Sequence, residues 1–546
     1  MQKLFTLFLS ALVLFSCSQS SSDAVDAAKV MNPDSMKQNI MVLASDSFMG
    51  RKPFTEGETK TVAFLQEKFA ALGLEPGNGS SYIQEVPMVS ISTESDPTMT
   101  ISSPSGKSAL TFFEEYGFWT QKTDSVIRID DAELVFAGYG VVAPEYNWND
   151  YEGIDVKGKV VMVMVNDPGF WSGDTTLFKG KEMTYYGRWT YKFEEAARQG
   201  AKGCLVIHNT KAASYQWSVA QNNFNQSRLN LPAAEGVPLC DAVGWITEGS
   251  VNKLFTKAGF DSTLFAAANK PGFRAIDLKL KASTKLKVKA EFRKSKNVIA
   301  KITGSKSPDE VIIYTAHWDH LGIGKPGADG DSIYNGALDN ASGTAALIEL
   351  ARAFRSLKQK PERTIVMLAV TAEEQGLLGS EYYANNPIYP VEKTVANINM
   401  DGVNSFGKTL DMSIIGEGQS EIEDLAKKEL EKDGRYAAPD PKPEAGSYYR
   451  SDHFNFAKKG IPSLYLKTGI DVVGKGKEYG KQLREEYNSK HYHQTSDEID
   501  TASWTMEGAI QDLLIYFKVG LSMANDEKFP QWKPGSEFKA IREGKK

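Results

Sequence analysis

The sequence predicts an α/β protein in which a mostly parallel β-sheet is flanked by helices, and three observations support this class. From about residue 284, short apolar runs alternate with segments of helical period. The runs VIIYTA, TIVMLAV and VANINM are almost continuously apolar, which is typical of parallel strands buried on both faces. Between the first two, TAALIELARAFRSL carries one apolar face and is predicted to be a helix. KLKVKAEF and NVIAKITG are predicted to be two further strands.

A chain of 546 residues is expected to form more than one domain, because single cores stop growing at roughly 250–300 residues. Residues 31–129 open with helices and are predicted to be the N-terminal part of the main domain. Residues 130–270 change to short β-like runs such as KVVMVMV and GCLVIH, which indicates a separate β-rich insert. Residues 271–525 then form the main part of the first domain, and 526–546 a C-terminal tail.

The first 17 residues, MQKLFTLFLSALVLFSC, have the layout of an export signal, with a lysine, an apolar stretch and a small-residue junction. We predict a signal peptide over 1–16 and a polar tether over 17–30. The junction resembles a bacterial lipobox, in which Cys17 is lipidated, although Phe15 departs from the usual small residue. The alternative is a plain cleaved signal peptide and a secreted protein. Since no other apolar run reaches the ~18 residues needed to span a bilayer, membrane association is expected through this anchor alone.

Composition excludes one class of partner. The chain is 41% hydrophobic and 24% charged, with a net charge of −6 and no basic stripe, so nucleic acid is not an expected partner. Two cysteines remain after Cys17, and we predict that Cys204 and Cys240 are free, structural thiols. No feature of the sequence indicates an oligomeric state.

Six side chains that bind metals stand near the ends of apolar runs in the second half of the chain. Three of them, His317, Glu373 and Asp401, follow predicted strands, and the carboxyl ends of parallel strands meet at one edge of a sheet, where sites form. Imidazoles and carboxylates together suit a divalent ion such as Zn²⁺. Any one of these residues alone is better explained as a surface charge or a helix cap, but six in this arrangement predict a metal site. The six are His317, Asp339, Glu373, Glu374, Asp401 and His493.

Neighbouring residues extend this hypothesis. Asp319 lies two positions after His317, so in a continuing strand it faces the same side and can orient either the imidazole or its metal, whereas His320 would point elsewhere. Glu373 and Glu374 are adjacent, so their side chains diverge; one can bind metal while the other accepts a proton from water. The polar cluster at 449–453 either contacts a reacting group or is a surface loop with a helix cap, and both interpretations stay open.

These motifs carry a family resemblance. AHWDHLG, NGALDNASGTAALIELAR, TAEEQGLLGSEYY, NINMDGV, SDHFNFAKKGIPSLYL and YHQTSDEID together resemble metallopeptidase family 28, the co-catalytic dizinc aminopeptidases, over about 284–520. LASDSFMGRKPFTEGETKTVAFLQEKFAALGLEP is similar to the family's opening helices. The resemblance implies a zinc-exopeptidase-like fold and two Zn²⁺ ions. It assigns the roles as follows: His317 and Asp401 bind one zinc, Glu374 and His493 bind the other, Asp339 bridges them, Glu373 is the general base and Asp319 supports His317.

The predicted insert has a looser likeness. ELVFAGYGVV, GIDVKGKVVMV and EEAARQGAKGCLVI resemble the protease-associated domain that is inserted in many members of this family. That resemblance implies a module that helps to wall the substrate cleft and takes no part in the chemistry. The alternative is an ordinary β-rich insertion.

The resemblance implies hydrolysis of peptides at a free N-terminus, through a water that bridges two metals and loses its proton to Glu373. The related alternatives are a carboxypeptidase of the glutamate type and a glutaminyl cyclase, and the complete two-metal set disfavours the one-zinc cyclases. A third alternative is a non-catalytic, receptor-like binding protein, which is expected to lack ligands that this chain retains. The expected location is the cell envelope, as an exported lipoprotein.

Overall fold

A computed structural model describes residues 23–544, apart from positions 222, 223, 225, 328 and 329. The predicted signal peptide and Cys17 lie outside the described residues. The chain divides into two compact units. Unit 1 comprises residues up to Val86, Lys294–Pro441 and the chain from Arg450 onward, and unit 2 comprises Pro87–Arg293 and Lys442–Tyr449.

Unit 1 is built on a sheet with four parallel strands at its centre. In spatial order these are Arg363–Val370, Ser307–His317, Thr394–Asn399 and Ser463–Thr468. The end of the long strand Ile276–Ile302 adds to the first of them in antiparallel orientation, and Asp411–Ile414 adds to the last. Shorter strands of this unit are Glu75–Pro76, Tyr436–Ala438, Gly322–Ile323 and Ile333–Tyr334. The predicted mostly parallel α/β sheet is therefore confirmed.

Apolar side chains cover both faces of this sheet, as the continuous apolar runs predict. Successive residues of a strand point to opposite faces, and Ile312 and Ile313 accordingly belong to two different hydrophobic clusters. The longer helices of the unit carry apolar faces that complete these clusters. Its helices include Pro33–Leu43, Glu56–Ala71, Ser342–Ser356, Leu378–Asn385, Ile422–Lys432, His453–Ala457, Lys477–Lys490, Glu507–Ala524 and Lys539–Arg542.

Unit 2 has its own hydrophobic cores. Four strands pair in parallel, in the order Val126–Phe136, Val160–Met164, Gly203–His208 and Ala242–Thr247, and Tyr116–Trp119 pairs antiparallel with the last. Other strands that lie wholly or mostly in this unit are Ile83–Ser95, whose first four residues belong to unit 1, Thr98–Ser103, Gly106–Thr111, Val142–Ala143, Trp148–Asn149 and Ser227–Asn230. Helices include Gly169–Ser172, Trp189–Arg198, Thr210–Ala213, Trp217–Gln221, Glu248–Lys257 and Thr263–Ala268.

The boundaries of unit 2 differ from the predicted insert of 130–270. Residues 98–103 form a strand that pairs with residues 281–283, outside both predicted limits. Likewise, the two strands predicted from KLKVKAEF and NVIAKITG are parts of the single strand Ile276–Ile302. The intervening RKSK contains no glycine or proline that would break an extended chain. Hydrogen bonds between strands that are distant in sequence set the boundaries of unit 2, and the local sequence does not reveal this pairing.

Both predicted terminal segments contain packed residues. Within the tether predicted over 17–30, Ala27 is buried and the Asp23 carboxylate accepts N–H groups from Lys358 and Gln359. Within the predicted tail 526–546, Trp532 and Phe538 are buried. Ala27, Trp532 and Phe538 have apolar side chains, and burying them stabilises the fold because it removes apolar surface from water. Among the described residues, no helix is both long and apolar enough to cross a membrane.

Candidate metal centre

His317 is the last residue of a central parallel strand, and its imidazole is buried. Its Nε2 lies 3.2 Å from Asp339 Oδ1 and 3.5 Å from Asp401 Oδ1, yet it makes no well-directed hydrogen bond. Its Nδ1 lies 3.1 Å from the carbonyl oxygen of Asp319. A carbonyl only accepts, so Nδ1 carries a proton and donates it, which leaves Nε2 as the ring nitrogen that faces the carboxylates and can bind a metal. That is the arrangement of a metal-binding histidine.

Asp339 lies in a tight turn before the helix Ser342–Ser356, and its position is fixed by its backbone. The carboxylate of Asp497 accepts the N–H groups of Leu338 and Asp339 at 3.0 and 3.1 Å. Oδ1 of Asp339 faces His317, and Oδ2 lies 3.2 Å from Nε2 of His493. The two oxygens of one carboxylate thus face two different imidazoles, as a bridging ligand requires.

Glu373 and Glu374 follow the strand Arg363–Val370, and their side chains diverge as predicted. Oε2 of Glu373 lies 4.0 Å from Nε2 of His317, whereas Oε2 of Glu374 lies 3.0 Å from Nε2 of His493. The ligand atoms accordingly form two groups, one of His317, Glu373 and Asp401 and one of His320, Asp339 and Glu374.

Asp319 contacts a different partner from the one predicted. Its Oδ1 is 3.8 Å from Nδ1 of His317, too far for a hydrogen bond. The carboxylate instead accepts the backbone N–H groups of Glu373 and Glu374, at 3.0 and 3.4 Å. The strand ends at His317, so the alternation used to orient Asp319 no longer holds beyond it. Asp319 therefore ties the His317 strand end to the loop that carries both glutamates.

Asp401 lies two residues after the strand Thr394–Asn399, and a buried hydrogen-bond chain holds it. Ser451 donates to its Oδ2 at 2.7 Å, and the Nδ2 of Asn399 donates to the Ser451 hydroxyl at 2.7 Å. The cluster at 449–453 is thus no surface loop, since Ser451, Asp452 and His453 are all buried. The sequence supplied a polar cluster, but not its contact with Asp401.

His493 lies in the segment before Gln494 and has a left-handed backbone conformation, with φ of +59°. Its side chain is 35% exposed, the most open of the predicted ligands, and stacks on Tyr492 with ring centroids 3.9 Å apart. His491 faces away from the centre, because its Nδ1 contacts the backbone oxygen of Ser496 at 2.9 Å. The sequence-based choice of His493 over His491 agrees with this geometry.

Two further residues escaped the sequence analysis. His320 was expected to point elsewhere, but its Nδ1 lies 2.6 Å from Oε1 of Glu374. Arg51 is fully buried and donates to four backbone carbonyls, those of Leu43, Trp318, Asn335 and Gly336, at 2.6 to 2.9 Å. The second histidine of AHWDHLG is a sequence signal that could have identified His320. No local signal links Arg51 to the site, because it is more than 260 residues away in sequence from its partner Trp318.

The cluster places several carboxylates close together in a buried position, and nearby positive charge would stabilise their ionised forms. Burial raises the pKa of Glu373 well above its ordinary value, and the neighbouring Glu374 and Asp401 raise it further. Burial also raises the pKa of Asp319 to about 7. Burial lowers the pKa of His493, but Asp339 and Glu374 outweigh this effect and raise it to about 10. Four carboxylates converging on imidazole nitrogens fit a pair of divalent cations, which supply charge without protons.

Fold and ligand atoms together define an α/β protein with a candidate two-metal centre at the carboxyl edge of its parallel sheet. Residues 297–518 match the model for Peptidase family M28. This chain therefore carries a domain of peptidase family M28 over those residues.

Named relatives match only short segments. A probable zinc metalloprotease of Pyrenophora tritici-repentis is 46% identical over 88 residues, which are 16% of this chain and 17% of that protein. Aminopeptidase NAALADL1 of Mus musculus is 37% identical over 116 residues, 20% of this chain and 14% of that protein. The matches thus span less than a fifth of the length of either relative. The likeness of residues 130–270 to a protease-associated domain stays a prediction.

Two solved structures align over most of the chain. An aminopeptidase from Aneurinibacillus sp. strain AM-1 is 20% identical, covers 94% of this chain and 97% of its own, and has a TM-score of 0.48. A peptidase M28 precursor from Shewanella amazonensis SB2B is 18% identical, covers 95% and 99%, and has a TM-score of 0.43.

Proposed function

We propose that the chain is a dizinc exopeptidase that removes residues from the free N-terminus of peptides. One observation carries the proposal: Asp339 presents one carboxylate oxygen to each of two buried or half-buried histidines, His317 and His493. A single carboxylate placed in this way can hold two ions side by side. The match to the family M28 model supports the same conclusion.

The ligands divide into two sets around Asp339. His317 and Asp401 would hold one zinc, and Glu374 and His493 would hold the other. When bound, two such ions polarise the scissile carbonyl and make water a stronger nucleophile at neutral pH. Asp319 contributes by fixing both backbone N–H groups of the glutamate loop, so that Glu373 and Glu374 keep their opposite directions.

Glu373 is proposed as the general base. Its carboxylate lies at the His317 side of the cluster, at a longer distance from imidazole than either Asp339 or Asp401. This longer distance supports a role for Glu373 other than that of a direct ligand. Glu373 would accept the proton of the attacking water and return it to the leaving amine, and a raised pKa suits a group that does both.

An exopeptidase that acts at N-termini needs a place for a cationic amine. With two zinc ions bound, the metal charge offsets that of the carboxylates, so the net charge of the centre does not separate an amine from a carboxylate. The name of the murine relative favours an aminopeptidase over a carboxypeptidase of the glutamate type.

One substrate panel tests the function. We expect the purified protein to bind two zinc ions per chain and to hydrolyse an aminoacyl anilide, but neither its N-acetylated form nor a peptide offered only for C-terminal cleavage. Chelation should abolish hydrolysis, and zinc should restore it. Cleavage of the C-terminal substrate alone would establish the carboxypeptidase, cyclisation of an N-terminal glutamine the cyclase, and metal-free, inactive protein the receptor-like alternative.

We also propose that the protein is exported and anchored in the cell envelope through Cys17. The proposal rests on the signal layout and the lipobox-like junction at its end. Replacing Cys17→Ser should move the protein from the membrane fraction to the soluble fraction and remove labelling by a radioactive or clickable fatty acid. Unchanged fractionation and labelling would contradict the anchor.

A further inference from the structure

His320 has no role in the site proposed so far, yet the structure places it against a predicted ligand. Its side chain is fully buried, and Nδ1 lies 2.6 Å from Oε1 of Glu374. The other oxygen, Oε2, lies 3.0 Å from Nε2 of His493. The carboxylate of Glu374 is thus held between two imidazoles, one on each oxygen.

The proton on His320 can be assigned from its partner. Each oxygen of Glu374 faces an imidazole nitrogen, and a carboxylate in this position accepts hydrogen bonds and donates none. Nδ1 of His320 must therefore carry the proton and donate it to Oε1. Nε2 of His320 is buried and has no hydrogen-bond partner among the described residues.

The backbone beside His320 keeps its ring in place. Gly336 has a φ of +55°, and a Cβ at this position would lie 2.5 Å from the Cγ and Cδ2 of His320. The ring therefore packs directly on the Gly336 backbone, where a larger residue would displace it. The Gly336 carbonyl accepts a hydrogen bond from Arg51 at 2.8 Å, which fixes the surface against which the ring packs. The imidazole is clamped before any metal binds.

We propose that His320 is a positioning residue that fixes Glu374 as a ligand through one oxygen. By binding Oε1, it turns Oε2 toward His493 and the second metal site. This inference rests on the proposed two-zinc function. Outer hydrogen bonds of this kind typically contribute 10–100-fold in metal affinity. The function of His320 is therefore metal retention at the Glu374 site alone.

Three substitutions separate the two ring nitrogens. In His320→Asn the amide nitrogen is bonded to Cγ, as Nδ1 is, and can still donate to Glu374. In His320→Gln the amide nitrogen reaches the position of Nε2 and no longer that of Nδ1. In His320→Ala the groups at both positions are lost. Zinc binding to metal-free protein is measured by competition with a chromophoric chelator, so the readout does not depend on activity. His491→Ala, a histidine directed away from the centre, is the matched control.

We expect wild type and His491→Ala to bind two zinc ions with equal affinities. His320→Ala and His320→Gln should bind the first ion normally and the second about 10–100-fold more weakly, with activity restored by excess zinc. His320→Asn should retain the second ion within a few fold of wild type. Its near-isosteric shape also guards against loss of folding, which circular dichroism checks for all four variants.

Two outcomes would overturn the inference. Unchanged affinity for both ions in His320→Ala would show that Glu374 needs no support. Equal weakening in His320→Asn and His320→Ala would show that Nε2 binds the metal directly. Failure of the proposed function is distinct from both, because wild-type protein would then bind no zinc pair at all.

Discussion

Both units bury charged side chains, but they satisfy them in different ways. In unit 2, Asp150 accepts the N–H groups of Tyr139 and Val141 on one oxygen and the indole N–H of Trp148 on the other. Asp167 accepts the backbone N–H and the hydroxyl of Thr184. In unit 1, the carboxylates of the centre converge mainly on imidazoles and on one another.

This difference shows which buried charges indicate a site. Burial raises the pKa values of Asp150 and Asp167 to about 7 and lowers that of Lys192 to about 7, so perturbed pKa values occur in both units. Among the residues that the structure describes, only the cluster in unit 1 combines them with ligand atoms of several residues close to one another. Convergence of ligand atoms, more than burial, therefore distinguishes the candidate site from charge pairing inside a core.

The largest expected effect separates the adjacent glutamates. Glu373→Gln should retain both zinc ions and lose kcat by ~10²–10⁴-fold, because the amide cannot accept a proton from water. Glu374→Gln should instead weaken one metal site, with activity partly restored by excess zinc. Metal stoichiometry and kcat are measured for both variants. Asp167→Asn, a buried carboxylate of unit 2, is the control and should change neither quantity.

The opposite result would exchange the roles of the two residues. If Glu373→Gln loses a metal while Glu374→Gln keeps two, Glu374 is the base. If neither variant affects kcat, no two-metal hydrolysis occurs at this centre. Each substitution keeps the size of the side chain, so altered packing does not obscure the comparison.

The next effect concerns stability and is confined to unit 2. Lys192 is fully buried close to Asp150 and Asp167, and its Nζ lies 5.5 Å from the centroid of the Tyr139 ring. Replacing Lys192→Met leaves the buried carboxylates without their cation, which typically costs about 3–5 kcal/mol. We expect that loss in the free energy of unfolding, measured with denaturant, and unchanged zinc stoichiometry.

Lys289→Met is the control for this prediction, since Lys289 is an exposed residue of the same unit. It should alter the free energy of unfolding by less than about 0.5 kcal/mol. A loss of zinc in Lys192→Met would show that the buried charges of unit 2 also act on the metal centre. No loss of stability would show that Lys192 does not stabilise the buried carboxylates of Asp150 and Asp167.

A smaller effect is expected at Arg51, a buried cation beside the centre whose hydrogen bonds within the described part of the chain go to backbone carbonyl oxygens. Arg51→Lys keeps the charge but replaces a fork of donors by a single nitrogen, so it cannot reach all four carbonyls. We expect a loss of about 2 kcal/mol in the free energy of unfolding, within the range for hydrogen bonds to charged groups, and a modest weakening of zinc binding. Arg274→Lys, whose guanidinium forms an exposed ion pair with Glu152, should have little effect on either quantity. Equal effects in both variants would contradict the role of Arg51.

How much the sequence could predict depends on the range of the interactions. The parallel strands and the residues that follow them were predictable, because apolar runs and strand ends are local features. His317, Glu373 and Asp401 were found for this reason. Asp339 and His493 lie on loops, and only the family resemblance singled out their roles. Strand pairing across more than 180 residues, as between Ile101 and Ala282, left no local signal, and it moved the boundary of unit 2.

The site's supporting residues were also beyond local reasoning. Asp319 was placed by extending a strand that in fact ends at His317, so its partner is the glutamate loop. His320 was dismissed by the same alternation. Ser451 and Asp497 contact the centre through chain segments 50 and more than 150 residues away from their partners. The alternation of side chains between the two faces holds only while the strand continues, and tertiary contacts set the residue at which the strand ends.

The smallest expected effect is no change at all, and it tests whether the two units respond independently. Cys204 and Cys240 are buried and free in unit 2. Burial raises the pKa of the Cys204 thiol well above its ordinary value and that of Cys240 to about 12. A thiol reagent attacks the thiolate, so at pH 8 both should react far more slowly than an exposed cysteine. Their labelling rate therefore reports opening of unit 2.

In a Cys17→Ser chain, chelating the zinc of unit 1 should leave this labelling rate unchanged. Lys192→Met should increase the rate, because the core that covers both thiols is weakened. Accelerated labelling after chelation would show that metal binding in unit 1 stabilises unit 2, and that the two buried-charge clusters belong to one cooperative structure.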